Sequence, residues 1–303
     1  MSQFNPFISI VVPSYNRANL IGATIKSLQQ QEYDNYEIIV VDDGSTDNTE
    51  EIIGTVGNEK TVYIKKNNAE RAAARNFGSR MAKGEYINFF DSDDLALPNH
   101  LSEAAATIKK FNAPEWFHLG YAWATPEEKV FKEVNNYTGE TLNHIIANGN
   151  PLSCNGVFIR KDIITNYSFN EDRALSASED YELWVRLTSR FPLYYSNVIT
   201  SLVIDHEMRS VRRINGEKLI QRLKLLLHYL QKDQAVTTYF GKSFNKIKAD
   251  SYSYIALHLA EIPLYKAKSF KYLFNSIVTY PGIIKNKRFY AIIKNILIKW
   301  QNS

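Results

Sequence analysis

The sequence predicts an α/β domain, in which helices cover both faces of a parallel β-sheet, followed by a helical C-terminal region. Two observations predict this class. From Phe7 to about Lys110, short apolar runs alternate with segments whose apolar residues recur at helical spacing. From about Glu217 onward the chain turns helical, with an apolar stripe that runs from Leu219 to Leu230.

Composition indicates a folded globular chain. The 303 residues are 45% hydrophobic and 22% charged, which excludes a disordered, collagenous or coiled-coil chain. The single cysteine, Cys154, excludes an intramolecular disulfide framework and a multi-cysteine zinc site. No apolar run approaches the roughly 20 residues that span a bilayer. We therefore expect a cytoplasmic protein.

Each element before residue 111 follows from its local pattern. Four short, largely apolar runs predict buried strands over Phe7–Val12, Glu37–Val41, Val62–Ile64 and Glu85–Phe90. Helices are predicted between and after these strands, over Leu20–Leu28, Asn48–Val56, Ala69–Ala82 and Pro98–Lys110. In a parallel sheet of this kind, ligands bind at the carboxyl ends of the strands.

The middle of the chain is more mixed. Strands are predicted over Trp116–Leu119 and Gly156–Arg160, and helices over Gly139–Asn148 and Ser178–Arg190. The stretch from Trp116 to Asn155 contains no motif that indicates a chemistry.

Polar residues follow three of the predicted strands. The first strand leads into Pro13-Ser14-Tyr15-Asn16-Arg17, the second into Asp42-Asp43 and the fourth into Asp91-Ser92-Asp93-Asp94. Carboxylates that crowd together repel each other unless a cation compensates them. Asp91 and Asp93, one residue apart on a loop, can reach one Mg²⁺ or Mn²⁺ ion together.

The neighbouring polar residues each allow two interpretations. Asp42 or Asp43 accepts a hydrogen bond from a nucleobase or ribose; alternatively, Asp43, Ser45 or Asp47 caps the following helix. Tyr15 stacks on the base, or packs at the sheet edge. Arg75 faces a phosphate or the acidic crevice, or lies on a solvated helix face.

Two later sites also carry chemistry. Glu179 and Asp180 begin a predicted helix, where a carboxylate serves as a general base or as a favourable charge at the helix N-terminus. His206 follows an apolar strand-like run, so it binds a metal or a diphosphate, or has a structural role.

Taken in order, these motifs resemble the inverting family-2 glycosyltransferases of the GT-A fold, over roughly residues 6–210. The matching segments are Ile8–Arg17, Glu37–Asp47, Ala74–Gly78, Gly84–Ile87, Asp91–Asp94 and Glu179–Trp184. The resemblance implies a Rossmann-like, mostly parallel sheet. It also implies a GT-A domain over 1–215, with a nucleotide-sugar half over about 1–115 and an acceptor half over about 116–215. Residues 216–303 would form a separate basic, aromatic helical region.

The resemblance also implies roles for individual residues. Asp91 and Asp93 resemble the metal-binding D-x-D motif, Asp180 the catalytic base, and His206 a position that helps to hold metal or diphosphate. The expected nucleotide contacts are Pro13, Tyr15, Arg17, Asp42, Asp43, Arg75 and Asp91. The expected donor or acceptor sugar contacts are Asp94, Glu179 and Trp184.

The implied activity is metal-dependent, inverting transfer of a hexosyl or N-acetylhexosaminyl group. The donor would be a nucleoside-diphosphate sugar, by default a UDP-sugar. The acceptor would be a hydroxyl of a carbohydrate or lipid-linked sugar in surface polysaccharide or glycolipid synthesis, and the cofactor Mn²⁺ or Mg²⁺. Two alternatives stay open: a sugar nucleotidyltransferase, and a nucleotide-sugar-binding protein without turnover. The glycine-rich motifs of dehydrogenases and P-loop kinases are absent.

The C-terminal region has an unusual charge distribution. After Glu261 no acidic residue occurs, and lysines alternate with aromatic residues up to Trp300. Such a tail contacts the inner face of the cell membrane, pairs with a second copy in a homodimer, or presents a solvated basic face. We expect no nucleic-acid partner.

Overall fold

The computed structural model describes residues 5–207 and 215–298, and the chain divides into two compact units. The first unit comprises Met1–Asn143, Leu152–Arg173 and Phe191–Met208. The second comprises His144–Pro151, Ala174–Arg190 and Arg209–Ser303. The boundary at residue 215 stays a prediction, and Lys299 and Trp300 of the basic tail lie outside the described residues.

The first unit is built on one mixed sheet with the strand order β3-β2-β1-β4-β8-β6-β9-β5, and β7 pairs with β6. Its strands are β1 Ile8–Ser14, β2 Tyr36–Asp42, β3 Thr61–Lys65, β4 Tyr86–Phe89, β5 Leu95–Ala96, β6 Trp116–Ala124, β7 Val130–Val134, β8 Val157–Arg160 and β9 Tyr194–Ile204. β1 to β4 are parallel, whereas β8 runs antiparallel to both β4 and β6. The predicted α/β fold is confirmed, but the sheet is not mostly parallel as expected: within the described residues, four of its strand pairings are parallel and four antiparallel.

Helices follow the strands in the predicted order. They are α1 Ala18–Gln29, α2 Thr49–Val56, α3 Glu70–Met81, α4 His100–Lys110, α5 Asn143–Ile146 and α6 Lys161–Asn166. Every residue of β1 and β2 is buried and most are apolar, which explains why neither strand alternates apolar and polar residues.

Helix α3 lies unusually close to β1. A Cβ atom on Gly78 would be 2.4 Å from Val11 Cγ1 and 3.0 Å from Val41 Cγ2. Only glycine therefore allows this approach, which buries the face of α3 that carries Arg75 and Asn76.

The middle of the chain departs from the sequence predictions. The helix predicted over Gly139–Asn148 is wrong in extent, because only Asn143–Ile146 is helical. The Asn143 side chain bonds the carbonyl of Phe191 and the N–H of Leu193, which ties the start of this short helix to the segment before β9. The strands β5, β7 and β9 were not predicted in full, since their partners are distant in sequence.

Apart from short segments, the second unit is helical, as predicted. Its helices are α7 Glu179–Thr188, α8 Gly216–Lys232, α9 Gln234–Phe240, α10 Phe244–Ala260, α11 Lys266–Thr279 and α12 Lys287–Ile298. Asn215 caps α8 by accepting bonds from two backbone N–H groups, and the predicted apolar stripe of α8 is buried. Across residues 5–207 and 215–298, no helix has both the length and the apolar character needed to cross a bilayer.

Candidate active site

The carboxyl ends of β1, β2 and β4 lie side by side, as the strand pattern predicted. The N–H of Asp43 donates to the carbonyl of Ser14 at 2.8 Å, and the N–H of Phe90 donates to that of Val11 at 2.9 Å. The three polar segments therefore leave the sheet at one edge of the first unit.

Asp91 is held by a buried arginine. Arg75 Nη2 lies 2.8 Å from Asp91 Oδ1, and Arg75 is only 2% exposed. Its guanidinium carbon also lies 5.3 Å from the centre of the Phe169 ring. A buried cation of this kind stabilises the ionised carboxylate and fixes its orientation. The expectation that Arg75 faces the acidic crevice agrees with this placement.

Asp93 meets two basic groups from distant parts of the chain. His206 Nε2 lies 3.2 Å from Asp93 Oδ2, and Arg17 Nε lies 3.8 Å from the same oxygen. His206 is 113 positions away in sequence, and β9 brings it to this edge of the sheet.

The residues present fit a divalent cation that takes part of its shell from substrate. In the described part of the chain, no three His, Cys, Asp or Glu side chains come together as a metal site. Asp93 and His206 offer two ligand groups, and Asp91 lies on the same loop. Mg²⁺ and Mn²⁺ commonly complete such a shell with water and substrate phosphates.

Asp94 has a different position from the one expected of a sugar contact. Its Oδ1 accepts the N–H of Ile204 and its Oδ2 accepts the side-chain amide of Asn155, both at 2.8 Å. The side chain is buried. Because both oxygens are bonded inside the protein, Asp94 anchors the loop, and the expected sugar contact has no support here.

Asp42 is likewise a structural residue in this arrangement. Its buried carboxylate accepts bonds from the N–H of Ser45 at 2.7 Å and the hydroxyl of Tyr63 at 2.6 Å. Burial, followed by this hydrogen bond, raises the pKa of Tyr63 well above its usual value. Both oxygens of Asp42 are therefore bonded inside the protein, and neither caps α2, whose N-cap is Asn48.

Asp43 holds the segment that leads into α3. Its Oδ1 lies 2.5 Å from Lys66 Nζ and accepts the N–H of Ala69 at 2.9 Å. Lys66 was not singled out from the sequence, because one lysine after a strand has no distinguishing pattern. Lys66 therefore places an ammonium group directly beside the buried Asp43 carboxylate.

The loop after β1 presents an aromatic ring. Tyr15 is 47% exposed, whereas Pro13 is buried within β1. Asn16 adopts a positive φ of 51°, and its side-chain oxygen accepts the N–H of Thr46 at 2.9 Å. This bond fixes the turn and leaves the Tyr15 ring available for stacking.

Asp180 belongs to the second unit, at the start of α7. Its Oδ2 accepts a hydrogen bond from the side-chain amide of Asn150 at 3.0 Å, and its Oδ1 accepts the backbone N–H of Tyr181 at 2.7 Å. Tyr181 donates its hydroxyl to the carbonyl of Ile146 at 2.7 Å, so the chain before Asn150 is also held to α7.

The two other residues predicted on α7 are buried. Glu179 accepts the N–H of Ser178 at 3.0 Å, which is the favourable interaction at a helix N-terminus that the sequence left open. Trp184 is fully buried, a packing position rather than one that faces a sugar.

Sequence reasoning missed Asn150 and Asn155. Both lie in the stretch without a readable motif, and their importance comes from hydrogen bonds to carboxylates that are distant in sequence. Asn155 is buried and Asn150 is exposed, and no local signal distinguishes either of them from an ordinary loop asparagine.

Comparisons with known proteins agree with this architecture. A sequence model described as Glycosyl transferase family 2 matches residues 9–118. The Escherichia coli protein UDP-Glc:alpha-D-GlcNAc-diphosphoundecaprenol beta-1,3-glucosyltransferase WfaP is 31% identical over 185 residues, which is 60% of this chain and 70% of that protein. Across related bacterial glycosyltransferases, the chain spans between 26% and 80% of their lengths.

Solved structures share the fold. Residues 1–349 of S. aureus TarS, crystallised in complex with UDP-GlcNAc, match with a TM-score of 0.71 at 20% identity, covering 96% of this chain and 88% of that one. The mannosyltransferase PcManGT from Pyrobaculum calidifontis, in complex with GDP-Man and Mn²⁺, matches with a TM-score of 0.59 at 17% identity, covering 98% and 89%. The predicted GT-A fold is thereby confirmed.

Proposed function

Because this chain belongs to glycosyltransferase family 2, we propose that it moves a sugar from a nucleoside-diphosphate sugar to an acceptor hydroxyl with inversion at the anomeric carbon. The observation that carries the proposal is the arrangement around Asp91 and Asp93. A buried arginine orients the first carboxylate, while Arg17 and His206 meet the second at the carboxyl edge of the sheet.

A UDP-sugar is the donor we propose, and a lipid-linked or polysaccharide sugar is the acceptor. WfaP is named for a UDP-glucose donor and a diphosphoundecaprenol-linked acceptor, and TarS was crystallised with UDP-GlcNAc. These names support the choice of donor class and of a lipid-linked acceptor. A role in surface glycan or glycolipid synthesis at the inner face of the membrane is our further proposal.

The nucleotide would be held by residues of the first unit. The exposed Tyr15 ring would stack on the base. The buried carboxylate of Asp43 already bonds the N–H of Ala69 and Lys66, so we propose that it positions this segment beside the nucleotide rather than contacting the base or ribose itself. Arg17 lies close to Asp93, and Lys66 lies close to Asp43. The positive charge of both side chains would attract the phosphates of a bound donor.

Asp93 and His206, with Asp91 beside them, would hold a Mn²⁺ or Mg²⁺ ion. Bound there, such an ion neutralises negative charge that develops on a diphosphate leaving group. The protein's own contribution is to hold the acidic loop: Arg75 donates to the Asp91 carboxylate, and the side-chain oxygen of Asn155 accepts the N–H of Asp91.

Asp180 is the general base in this proposal. Its carboxylate would take the proton of the acceptor hydroxyl as that oxygen bonds to the anomeric carbon. The bond from that carbon to the diphosphate oxygen breaks at the same time, and its electron pair leaves with the diphosphate. The hydrogen bond from Asn150 keeps the Asp180 carboxylate oriented for this task.

Release of nucleoside diphosphate from a panel of uridine, guanosine and thymidine diphosphate sugars tests the proposal. We expect release from one uridine donor with Mn²⁺ or Mg²⁺, and its loss with EDTA. Asp93→Ala should abolish metal-dependent donor binding in calorimetry. Asp34→Ala, which removes a fully exposed carboxylate, is the matched control and should bind normally. Unchanged donor affinity of the Asp93 variant in Mn²⁺ would refute the assigned site.

A further inference from the structure

Helix α11 presents an apolar stripe to solvent. Phe270, Phe274 and Val278 are 61%, 59% and 65% exposed, and their spacing of four residues places them on one face. Tyr290 and Leu297 are also exposed, seven residues apart on α12. Exposed aromatic side chains that line one helix face mark an interaction surface rather than scattered surface residues.

Every charged side chain of α11 and α12 is basic. Beyond Glu261 the sequence contains no aspartate or glutamate, while lysines occur throughout α11 and α12. Lys268 pairs with Glu217 of α8, but the surrounding lysines add positive charge to the same region. A partner for this face must therefore combine an apolar layer with negative charge.

A basic groove lies beside the stripe. It has a volume of about 370 Å³ between α8, α10 and α11, and its lining includes Lys224, Lys248, Lys271, Tyr252 and Tyr272. In residues 5–207 and 215–298, none of the three lysines forms an ion pair with a carboxylate, and no acidic residue lines the groove. Three ammonium groups and two phenol hydroxyls suit a phosphate group.

The stripe and the groove share one helix. On α11 Lys271 follows Phe270 directly and Asn275 follows Phe274, so the groove opens along the edge of the apolar stripe. Groups one residue apart on a helix differ by about 100° around the axis. A ligand in the groove would therefore lie next to whatever covers the apolar stripe.

We propose that this face docks on an anionic phospholipid surface, with the α11 stripe in the membrane interface and a headgroup phosphate in the lysine groove. A second copy of the chain is the competing occupant of an apolar stripe. A symmetric dimer would bring two acid-free, lysine-rich faces together, and like charges oppose that contact. Anionic lipid supplies both the apolar layer and the negative charge. The inference goes beyond the proposed transferase activity and does not depend on turnover.

Co-sedimentation of the full chain with vesicles is the test. We expect binding to vesicles of phosphatidylcholine mixed with phosphatidylglycerol, and little binding to phosphatidylcholine alone. Salt should weaken it, because ions screen the lysines. The double variant Phe270→Ser/Phe274→Ser should bind about tenfold more weakly or worse, since two rings leave the interface. Phe131→Ser is the matched control, because Phe131 is 57% exposed on β7 of the other unit.

The groove has its own variant. Lys224→Gln, Lys248→Gln and Lys271→Gln together should also lower affinity for anionic vesicles at least about tenfold. Calorimetry with inorganic phosphate alone distinguishes a lipid headgroup from free phosphate. Tight phosphate binding without vesicle binding would assign the groove to a soluble ligand and overturn the proposal.

Two further outcomes would contradict the proposed docking on an anionic phospholipid surface. Equal vesicle binding by the wild type and the double phenylalanine variant would remove the stripe from the interface. A dimer in light scattering that the phenylalanine variant abolishes, with no vesicle binding, would assign the face to a second copy. Donor hydrolysis in solution should be the same in wild type and variant, so failure of this inference is separable from failure of the proposed function.

Discussion

Asn155 donates its side-chain amide to Asp94 at 2.8 Å, across 61 positions of sequence. Its side-chain oxygen accepts the N–H of Asp91 at 2.9 Å, and the other oxygen of Asp94 accepts the N–H of Ile204 at 2.8 Å. The pair therefore connects both ends of the acidic loop to the strand end that precedes His206. Because rigid support decides whether ligand groups stay aligned, we regard Asn155 as a positioning residue.

Asn155→Ala should weaken both the fold and the donor site. The buried carboxylate of Asp94 and the N–H of Asp91 would each lose a partner, which costs about 1–3 kcal/mol of unfolding free energy. We also expect weaker Mn²⁺-dependent donor binding. Urea unfolding and calorimetry measure the two effects. Asn166→Ala, an exposed asparagine on α6, should change neither. An Asn155 variant with wild-type donor affinity would show that the loop keeps its geometry without this bridge.

Gly78→Ala should destabilise the first unit. The added methyl group would meet Val11 at 2.4 Å, so α3 must move away from β1 and carry Arg75 with it. Overpacking of this kind costs about 1–3 kcal/mol. Gly54→Ala on α2 is the control, since nothing lies within 4 Å of its new methyl group. That change should stabilise by up to about 1 kcal/mol. Thermal unfolding that ranks the two variants equally would contradict the close approach of α3.

Asp180→Asn should separate binding from turnover. Donor affinity should be unchanged, while transfer falls about 100-fold or more through loss of the general base. Asn150→Ala should lower kcat less than Asp180→Asn does and should leave the donor Kd unchanged. It should also move the acid limb of the pH–rate profile to higher pH, because the ionised Asp180 carboxylate loses a hydrogen-bond donor. Steady-state kinetics and donor calorimetry make the distinction. A chain that binds donor and shows no turnover even as wild type would be a binding protein.

Acid should destabilise the fold through buried histidines. Burial lowers the pKa of both His100 and His118 to about 3. The unfolded chain binds these protons near pH 6.5, whereas the folded chain does not, so stability is full above that pH and falls as the pH drops toward 3. Each histidine contributes a slope of up to about 1.4 kcal/mol per pH unit.

Urea unfolding at several pH values between about 4.5 and 7 measures this slope. His118→Gln should reduce the slope by up to the contribution of one histidine, about 1.4 kcal/mol per pH unit. This reduction is independent of the variant's stability at neutral pH. His228→Gln, at an exposed position of α8, should leave the slope as in the wild type. An unchanged slope in the His118 variant would mean that this ring is protonated in the folded state.

Much of the fold was predictable from local pattern. β1, β2 and β4 are buried, so their runs are largely apolar, and α8 shows its buried stripe at helical spacing. The ordered motifs of the first 94 residues, with Glu179-Asp180, indicated the family without any contact information. Each of these signals lies within a few neighbouring residues.

Only the tertiary structure decided which carboxylates face the site. Asp91 and Asp93 meet basic side chains at the sheet edge. Asp42 and Asp94 also lie in acidic segments that follow strands, but their carboxylates are bonded inside the protein. The partners that decide this lie between 16 and 113 positions away. Side chains of adjacent loop residues point in different directions, so neighbouring aspartates meet different partners. Strand order, rather than the neighbouring sequence, decides which distant residue becomes the partner. The sequence alone therefore determined the family and the charge of the tail. The packing of α11, by contrast, decided that its phenylalanines face outward beside a lysine groove.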